Sequence, residues 1–260
     1  MKKFIPIIEN KAPGEPSVFL PENLLREARR QKDIPEGNVP EVCVLDPDGD
    51  LSDYLMEKGH ARINRFWACF HSYMYKAHLG SVEVGIIPRI VGAPYAVMVA
   101  EQLFVSGCKW LISISSAGII SQPFSDKNFA LITEAIRDEG TSYHYLSKED
   151  RAIIPAGIYE KLNHQKATDS QYWFDAISWT TDAPYRETKT AISAMQDVGV
   201  TCVEMEASAL YALARAKNKA IICFAHITNT MAQQHGDFEK GEHSGSLATL
   251  ELLKDVIRKI

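Results

Sequence analysis

Strand-like and helix-like segments alternate along this chain from residue 94 to its end. Five short apolar runs are typical of buried strands, and they cover residues 109–115, 129–136, 176–180, 200–204 and 220–227. Helical spacing of apolar residues is found at 94–105, 153–162, 185–197 and 247–260, and directly after residue 206. Such alternation predicts an α/β domain with a mixed, mainly parallel central sheet flanked by helices.

The first 40 residues are richer in proline and charge than the rest of the chain. We interpret residues 1–40 as an N-terminal arm with one short amphipathic helix at 23–31. A buried strand at 41–45 follows and is closed by a turn at 46–50, because Asp-Pro-Asp-Gly is a strong turn signal. Residues 66–75 and 81–87 are predicted as paired strands. The expected organisation is therefore this arm followed by a single domain over residues 41–260.

Composition excludes several classes of function. The formal net charge of -5 over 260 residues disfavours a nucleic-acid backbone as partner, because such partners require a basic surface. No apolar run reaches the length of a membrane span. The five cysteines are scattered and the eight histidines show no metal-ligand spacing, so we expect reduced thiols, a cytoplasmic protein and no metal. No nucleotide-binding fingerprint is present, and no organic cofactor is implied.

The residues most suggestive of a binding site are Val-Glu-Met-Glu-Ala-Ser-Ala-Leu at 203–210. An apolar strand leads into two carboxylates, and a helix follows. Carboxylates at the edge of a core are costly to desolvate, so they suit a bound ligand rich in hydroxyl groups, such as a ribose. The alternative interpretation is a solvated helix start, where acidic residues interact favourably with the helix dipole.

Polar residues also follow the other predicted strands. They lie at 115–118, 137–145, 181–187 and 228–234. Ligands of α/β sheets bind beyond the carboxyl ends of the strands, so we expect these loops to meet at one pocket. Alternatives remain at individual positions: Ser116 and Gly118 are also compatible with a simple tight turn, and His144 with a half-buried histidine that has no functional role.

Taken in order, these motifs resemble the nucleoside phosphorylase and uridine phosphorylase family from about residue 42 to the C-terminus. The 203–210 motif is similar to that family's ribose-binding signature. Gly-Ala-Pro at 92–94, the segment 135–144 and the segment 181–187 are the supporting matches. The resemblance implies cleavage of the bond between C1′ of a ribose and a nucleobase. Inorganic phosphate is the co-substrate in that reaction, and the products are free base and ribose 1-phosphate.

The resemblance also implies roles for individual residues. Met205 would pack beneath the sugar, and Glu206 would bind its 2′- and 3′-hydroxyls. Glu204 would either support these contacts from behind or be a secondary ribose contact. The residues implied for the base are Arg186, Asn229, Gln233 and His144. Of all these, Glu206, Asn229 and Arg186 would act in catalysis. Asn229 stands where purine-specific relatives have an aspartate, which favours a uridine-like base.

The implied phosphate-binding residues are Ser116, Gly118 and Arg65, and here the chain departs from the family pattern. Relatives have Gly-Asp-Pro-x-Arg after the first strand, whereas this chain has Leu-Asp-Pro-Asp-Gly at 45–49. A second arginine is missing before Ser116. Two alternatives to a phosphorylase therefore stay open: a nucleosidase that uses water, and a non-catalytic nucleoside-binding protein.

The family also implies a homo-oligomer built from dimers, with a hexamer as one form. Arg65 and the aromatic segment 66–70 are the candidate interface, and an ordinary core strand is the alternative interpretation of that segment.

Overall fold

The computed structural model describes residues 4–121, 128–148, 150–163, 172–229 and 240–260. Its ten strands are β1 (Val42–Asp46), β2 (Ala61–Ile63), β3 (Tyr75–Leu79), β4 (Val82–Pro88), β5 (Trp110–Ile119), β6 (Phe129–Asp138), β7 (Ala152–Ile153), β8 (Trp173–Thr181), β9 (Cys202–Glu204) and β10 (Ala220–Asn229). The α-helices are α1 (Pro21–Lys32), α2 (Asp50–Glu57), α3 (Ala93–Val105), α4 (Ala156–Asn163), α5 (Lys189–Asp197), α6 (Ala207–Lys217) and α7 (Ser246–Lys259). None of the helices in these ranges is long and apolar enough to cross a membrane.

All ten strands belong to one mixed sheet. β1 pairs in parallel with β4 and β5, β5 with β10, β6 with β8, and β8 with β9. Antiparallel pairing joins β10 to β6 and β5 to β9. The sheet is thus mixed with long parallel ladders and flanking helices, which confirms the predicted fold class.

Part of the sheet closes into a ring. β5 pairs with β10, β10 with β6, β6 with β8, β8 with β9, and β9 with β5 again. The two antiparallel pairings within this ring mean that β6, β8 and β9 run opposite to β5 and β10. The assumption that these strands all run in one direction is therefore wrong. The ends of β5, β8 and β9 are nevertheless neighbours, because Val203 pairs opposite Gly118 and Thr180 pairs opposite Glu204.

The first eight residues of α6 are buried on every side. They are Ala207–Ala214, and the helix lies against α3 and against β6 and β10. Alanine at many of these positions lets the helix approach its neighbours closely, and a helix that is apolar all round belongs in a core. Because the glutamates precede this helix directly, a rigid part of the fold positions them.

The predicted arm packs partly on the domain. Leu25 and Ala28 of α1 are buried with Ala68, and α1 lies against α3. The Lys32 ammonium donates to the carbonyls of Cys69 and Phe70, both at 3.3 Å. The division of the chain into an arm of residues 1–40 and a domain remains a prediction.

Several predicted elements are wrong. Residues 66–74 form no strand, since the segment turns at 65–66 and the strand begins only at Tyr75. The predicted helix at 185–197 is interrupted, because Thr188 caps a shorter helix, α5, with its hydroxyl accepting from the Ala191 amide. Residues 115–118 lie within β5 and not in a loop. α2 was not predicted, since the Asp-Pro-Asp-Gly turn signal masks a helix that begins directly after it.

Candidate active site

Two glutamates lie at the junction between a strand and a helix, as the sequence predicts. β9 ends at Glu204, α6 begins at Ala207, and Glu206 is the residue directly before the helix. Only 3% of Glu204 and 2% of Glu206 is exposed to solvent. The alternative of a solvated helix start therefore does not describe this site.

The Glu204 carboxylate binds the chain itself. Its Oε1 accepts from the hydroxyls of Ser178 (3.0 Å) and Thr180 (2.5 Å). Its Oε2 accepts from the backbone amides of Glu206 and Ala207, both at 2.7 Å. These amides belong to the start of α6, where backbone N–H groups lack partners within the helix. Glu204 therefore fixes the position of the helix start and of Glu206.

The Glu206 carboxylate joins three distant parts of the chain. Its Oε1 accepts from the Gly92 amide at 2.6 Å, and its Oε2 accepts from the Ser115 hydroxyl at 2.7 Å. Each carboxylate oxygen can accept more than one hydrogen bond. Glu206 therefore keeps acceptor capacity for the hydroxyl groups of a ligand. Met205 lies beside it, half-buried.

Burial changes the protonation of Glu206. Desolvation, followed by repulsion from the neighbouring Glu204 carboxylate, raises the pKa of Glu206 to about 8, although the bonds from Gly92 and Ser115 act against this rise. Burial also raises the pKa of Glu204. A perturbed carboxyl group in the core is typical of functional sites, because an enzyme arranges burial to tune its reactive groups.

Gly92 and Ser115 are functional candidates that the sequence alone did not single out. Gly92 has φ of +92°, a conformation in the region that favours glycine. This conformation lies at the turn between β4 and α3, where the Gly92 amide meets Glu206. The Gly-Ala-Pro motif and the serine at 115 were visible in the sequence, but their contact with Glu206 was not.

The loops after β6 and β8 are joined to each other. The buried Glu139 carboxylate accepts from the Ser208 hydroxyl (2.8 Å) on α6 and from the amides of Thr141 and Ser142. The Gly140 amide donates to Asp182 Oδ2 at 2.9 Å. This network connects both loops with the helix that Glu206 precedes.

The predicted base-binding residues are less closely grouped. Arg186 is exposed in a short 3₁₀ turn, Pro184–Arg186. His144 is also exposed, and its Nε2 lies 3.4 Å from the Lys11 ammonium of the arm, with burial and that ammonium lowering the histidine pKa. Asn229 is the last residue of β10, and Gln233 lies outside the described residues. The structure thus places Arg186, His144 and the backbone of Asn229, and the roles of all four residues stay predictions.

The predicted phosphate-binding residues are placed on β5 and in the turn after β2. Ser116 and Gly118 are partly buried on β5, opposite β10, whereas Arg65 is exposed. The Ser116 hydroxyl donates to Asp48 Oδ2 at 2.5 Å, and its amide donates to the same oxygen at 3.2 Å. In the sequence, Asp48 is part of a turn signal, and its bond to Ser116 was not predicted.

Two other arginines, Arg89 and Arg137, form contacts away from Ser116. Arg137 donates to the carbonyls of Leu146, Ser147 and Asp150, so it organises its own loop. Arg89 pairs with Asp53 at 2.6 Å, and 59% of its side chain is exposed. Both guanidinium groups already have partners, and neither is bound to Ser116.

Comparison with known proteins identifies the family. A family model described as the phosphorylase superfamily matches residues 49–258. The chain belongs to this superfamily. The arm and β1 precede the matched region, whereas both glutamates, Gly92, Ser115 and Ser116 lie within it.

Two similar proteins are named as phosphorylases, one of uridine and one of guanosine. A uridine phosphorylase of Thermococcus kodakarensis is 23% identical over 232 residues, which are 79% of this chain and 83% of the relative. A guanosine phosphorylase of Halorubrum lacusprofundi is 23% identical over 189 residues, covering 71% of this chain and 76% of the relative.

A solved structure shares the superfamily fold. The crystal structure of a uridine phosphorylase from Vibrio fischeri matches with a TM-score of 0.69 at 18% identity, covering 85% of this chain and 92% of that one. The sequence resemblance to nucleoside and uridine phosphorylases is therefore confirmed at the level of family and fold.

Proposed function

We propose that this protein cleaves the N-glycosidic bond of a ribonucleoside. The observation that carries the proposal is the Glu206 carboxylate, buried at the end of β9, fixed by Gly92 and Ser115, and still able to accept hydrogen bonds. Membership of the phosphorylase superfamily supports the same reaction type.

The chemistry follows from the position of this anion. The 2′- and 3′-hydroxyls of a ribose would donate to Glu206, and hydrogen bonds to a charged group contribute about 1.5–3 kcal/mol each. Cleavage of a glycosidic bond develops positive charge on the sugar, which a nearby fixed anion stabilises. The donors of the ligand also favour the ionised form of Glu206, because hydrogen bonds to a carboxylate lower its pKa.

For the base we propose a uridine-like pyrimidine. Asn229, Gln233, Arg186 and His144 are the proposed contacts. An asparagine amide can both donate and accept hydrogen bonds, but it cannot supply a labile proton to a purine. The uridine phosphorylase relative supports this choice, and the guanosine phosphorylase relative makes a purine the alternative.

Two acceptors of the ribosyl group suit this site. With phosphate, the products are free base and ribose 1-phosphate, and Ser116, Gly118 and Arg65 are the proposed contacts. With water, the products are free base and ribose: the water oxygen bonds to C1′, the C1′–N electron pair goes to the base, and the base takes up one proton. Superfamily membership favours phosphate, and the contact between Asp48 and Ser116 favours water.

We further propose a cytoplasmic homo-oligomer that needs no organic cofactor. Five buried cysteines without a disulfide suit a reducing compartment. We propose that Arg65, which lies in an exposed turn, contacts a neighbouring subunit, as the family resemblance implies.

A nucleoside panel tests the proposal. The protein is incubated with each nucleoside, with and without phosphate, and free base is measured by chromatography. We expect base release from uridine, and a loss of roughly 10- to 100-fold in kcat/KM for Glu206→Gln, because one or two charge-assisted bonds become neutral. Glu251→Gln on the exposed face of α7 is the matched control and should behave as wild type.

Two results would contradict this proposal. Unchanged turnover in Glu206→Gln would remove the ribose assignment. Calorimetric binding of nucleosides without any base release over hours would instead identify a non-catalytic binding protein.

A further inference from the structure

A carboxylate of the chain occupies hydrogen-bond donors at the end of β5. Asp48 follows β1, and its Oδ2 accepts both from the Ser116 hydroxyl (2.5 Å) and from the Ser116 amide (3.2 Å). The same oxygen lies 3.1 Å from the Lys240 ammonium. A hydroxyl, an amide and an ammonium therefore converge on one anionic oxygen, which is the arrangement of an anion-binding site.

This site already contains more negative than positive charge. Lys240, only 13% exposed, lies between Asp48 and Asp50, with its ammonium 2.5 Å from Asp50 Oδ2. Beneath them lies Asp46, whose carboxyl accepts from the amide and hydroxyl of Ser52, and burial raises its pKa to about 6. The Lys240 ammonium thus pairs with two carboxylates, and the Asp46 carboxyl is a third acidic group lining the same cavity. An incoming phosphate dianion would meet this excess of negative charge and the occupied donors together.

The space beside Asp48 suits a smaller molecule. A cavity of roughly 20 Å³ is lined by Asp46, Asp48, Asp50 and His226, among others. A polar cavity of about this volume has room for a single water. Its lining includes carboxylate oxygens, which can accept hydrogen bonds from a water molecule. The geometry therefore favours a hydrated site over one that holds a dianion.

We propose that Asp48 determines the acceptor of the reaction, because its carboxylate occupies the donors of Ser116 and excludes phosphate, which leaves water to accept the ribosyl group. This inference rests on the proposed function for its chemistry, but the exclusion of phosphate does not depend on any nucleoside. Asp48 acts through Ser116 and Lys240 as a specificity-determining residue. In the reaction, water provides the oxygen bonded to C1′ and its proton goes to the departing base.

The test compares inorganic phosphate binding by the full chain and by Asp48→Asn, using calorimetry without nucleoside. Asp48→Asn keeps the side-chain shape and removes one repelling charge, so we expect phosphate affinity to rise by about tenfold or more. Glu57→Gln removes one charge from an exposed position on α2 and should leave phosphate affinity at the wild-type value. Adding Ser116→Ala to Asp48→Asn should abolish the gain, since the hydroxyl donor is lost.

Base release then reports on the acceptor. We expect wild-type base release to be insensitive to phosphate, with ribose as co-product, and Asp48→Asn to become phosphate-dependent and to form ribose 1-phosphate. Asp48→Ser, a shorter side chain, provides a second variant if Asp48→Asn unfolds at a lower temperature than wild type.

Specific outcomes would overturn the proposal. Wild-type protein that binds phosphate as tightly as Asp48→Asn, or that forms ribose 1-phosphate, refutes the role of Asp48. If no variant releases any base while Asp48→Asn gains phosphate binding, the proposed function fails and the exclusion of phosphate by Asp48 is supported on its own.

Discussion

Replacing Glu206 with glutamine should remove a pH dependence from the stability of this protein. The Glu206 carboxyl is buried, and its pKa is raised from 4.5 to about 8. Glutamine has the same shape: its oxygen can accept from the Gly92 amide, and its NH₂ group can donate to the Ser115 hydroxyl oxygen. The substitution therefore removes the titration without opening a cavity.

The sign and size of the effect follow from proton linkage. Between its unfolded and folded pKa values, Glu206 holds a proton in the folded state and has lost it in the unfolded state. Unfolding then releases about one proton, so the free energy of unfolding falls as pH rises. From about pH 5.5 to about pH 7.5 this contribution amounts to roughly 2–3 kcal/mol, at about 1.4 kcal/mol per pH unit.

Urea denaturation at these two pH values, followed by tryptophan fluorescence, measures the effect. The difference in unfolding free energy between Glu206→Gln and wild type should shift by this amount in favour of the variant at the higher pH. Asp46, with its pKa raised to about 6, and His226, with its pKa lowered to about 4, titrate in both proteins and cancel in the difference. Glu251→Gln should track wild type at both pH values. An equal difference at the two pH values would refute the reasoning.

Three further substitutions test separate contacts. Ser115→Ala removes the hydroxyl that donates to Glu206. Above pH 8 the charged carboxylate is then left without this donor, so the free energy of unfolding, measured in urea, should fall by about 1–3 kcal/mol. Tyr211→Phe leaves a buried main-chain carbonyl and a buried main-chain amide without their shared partner, and we expect a loss of about 1–3 kcal/mol or more in the free energy of unfolding. Arg137→Lys cannot span the three carbonyls that the guanidinium binds, so amide hydrogen exchange in residues 142–148 should accelerate while the rest of the chain keeps its protection.

Periodicity and turn chemistry were sufficient to predict the fold class. The apolar runs before residue 227 and the proline that begins α3 place most elements correctly, because local patterns determine whether a segment is a strand or a helix. The ring of strands could not be predicted this way. Pairing of β5 with β9 in the antiparallel sense depends on how distant segments pack, and no local pattern contains that information.

The candidate site shows the same division. The position of Glu206 between a strand and a helix followed from local sequence. Its contacts with Gly92 and Ser115 did not, since these residues lie 114 and 91 positions away along the chain. Asp48 was visible only as part of a turn signal, so its bond to Ser116 required the three-dimensional structure.

Ser115 and Ser116 are consecutive residues of β5, and both pair with β10, opposite Ala225 and His226. Side chains alternate between the two faces of a strand, so one serine points to Glu206 and the next to Asp48. The sugar-binding and acceptor-binding halves of the proposed site are therefore separated by one peptide unit of rigid backbone, about 3.8 Å between Cα atoms. Their spacing cannot vary as loop positions do. Under the proposed role of Asp48, a substitution in the loop after β1 would alter the contact with Ser116 and leave the contact between Ser115 and Glu206 unchanged.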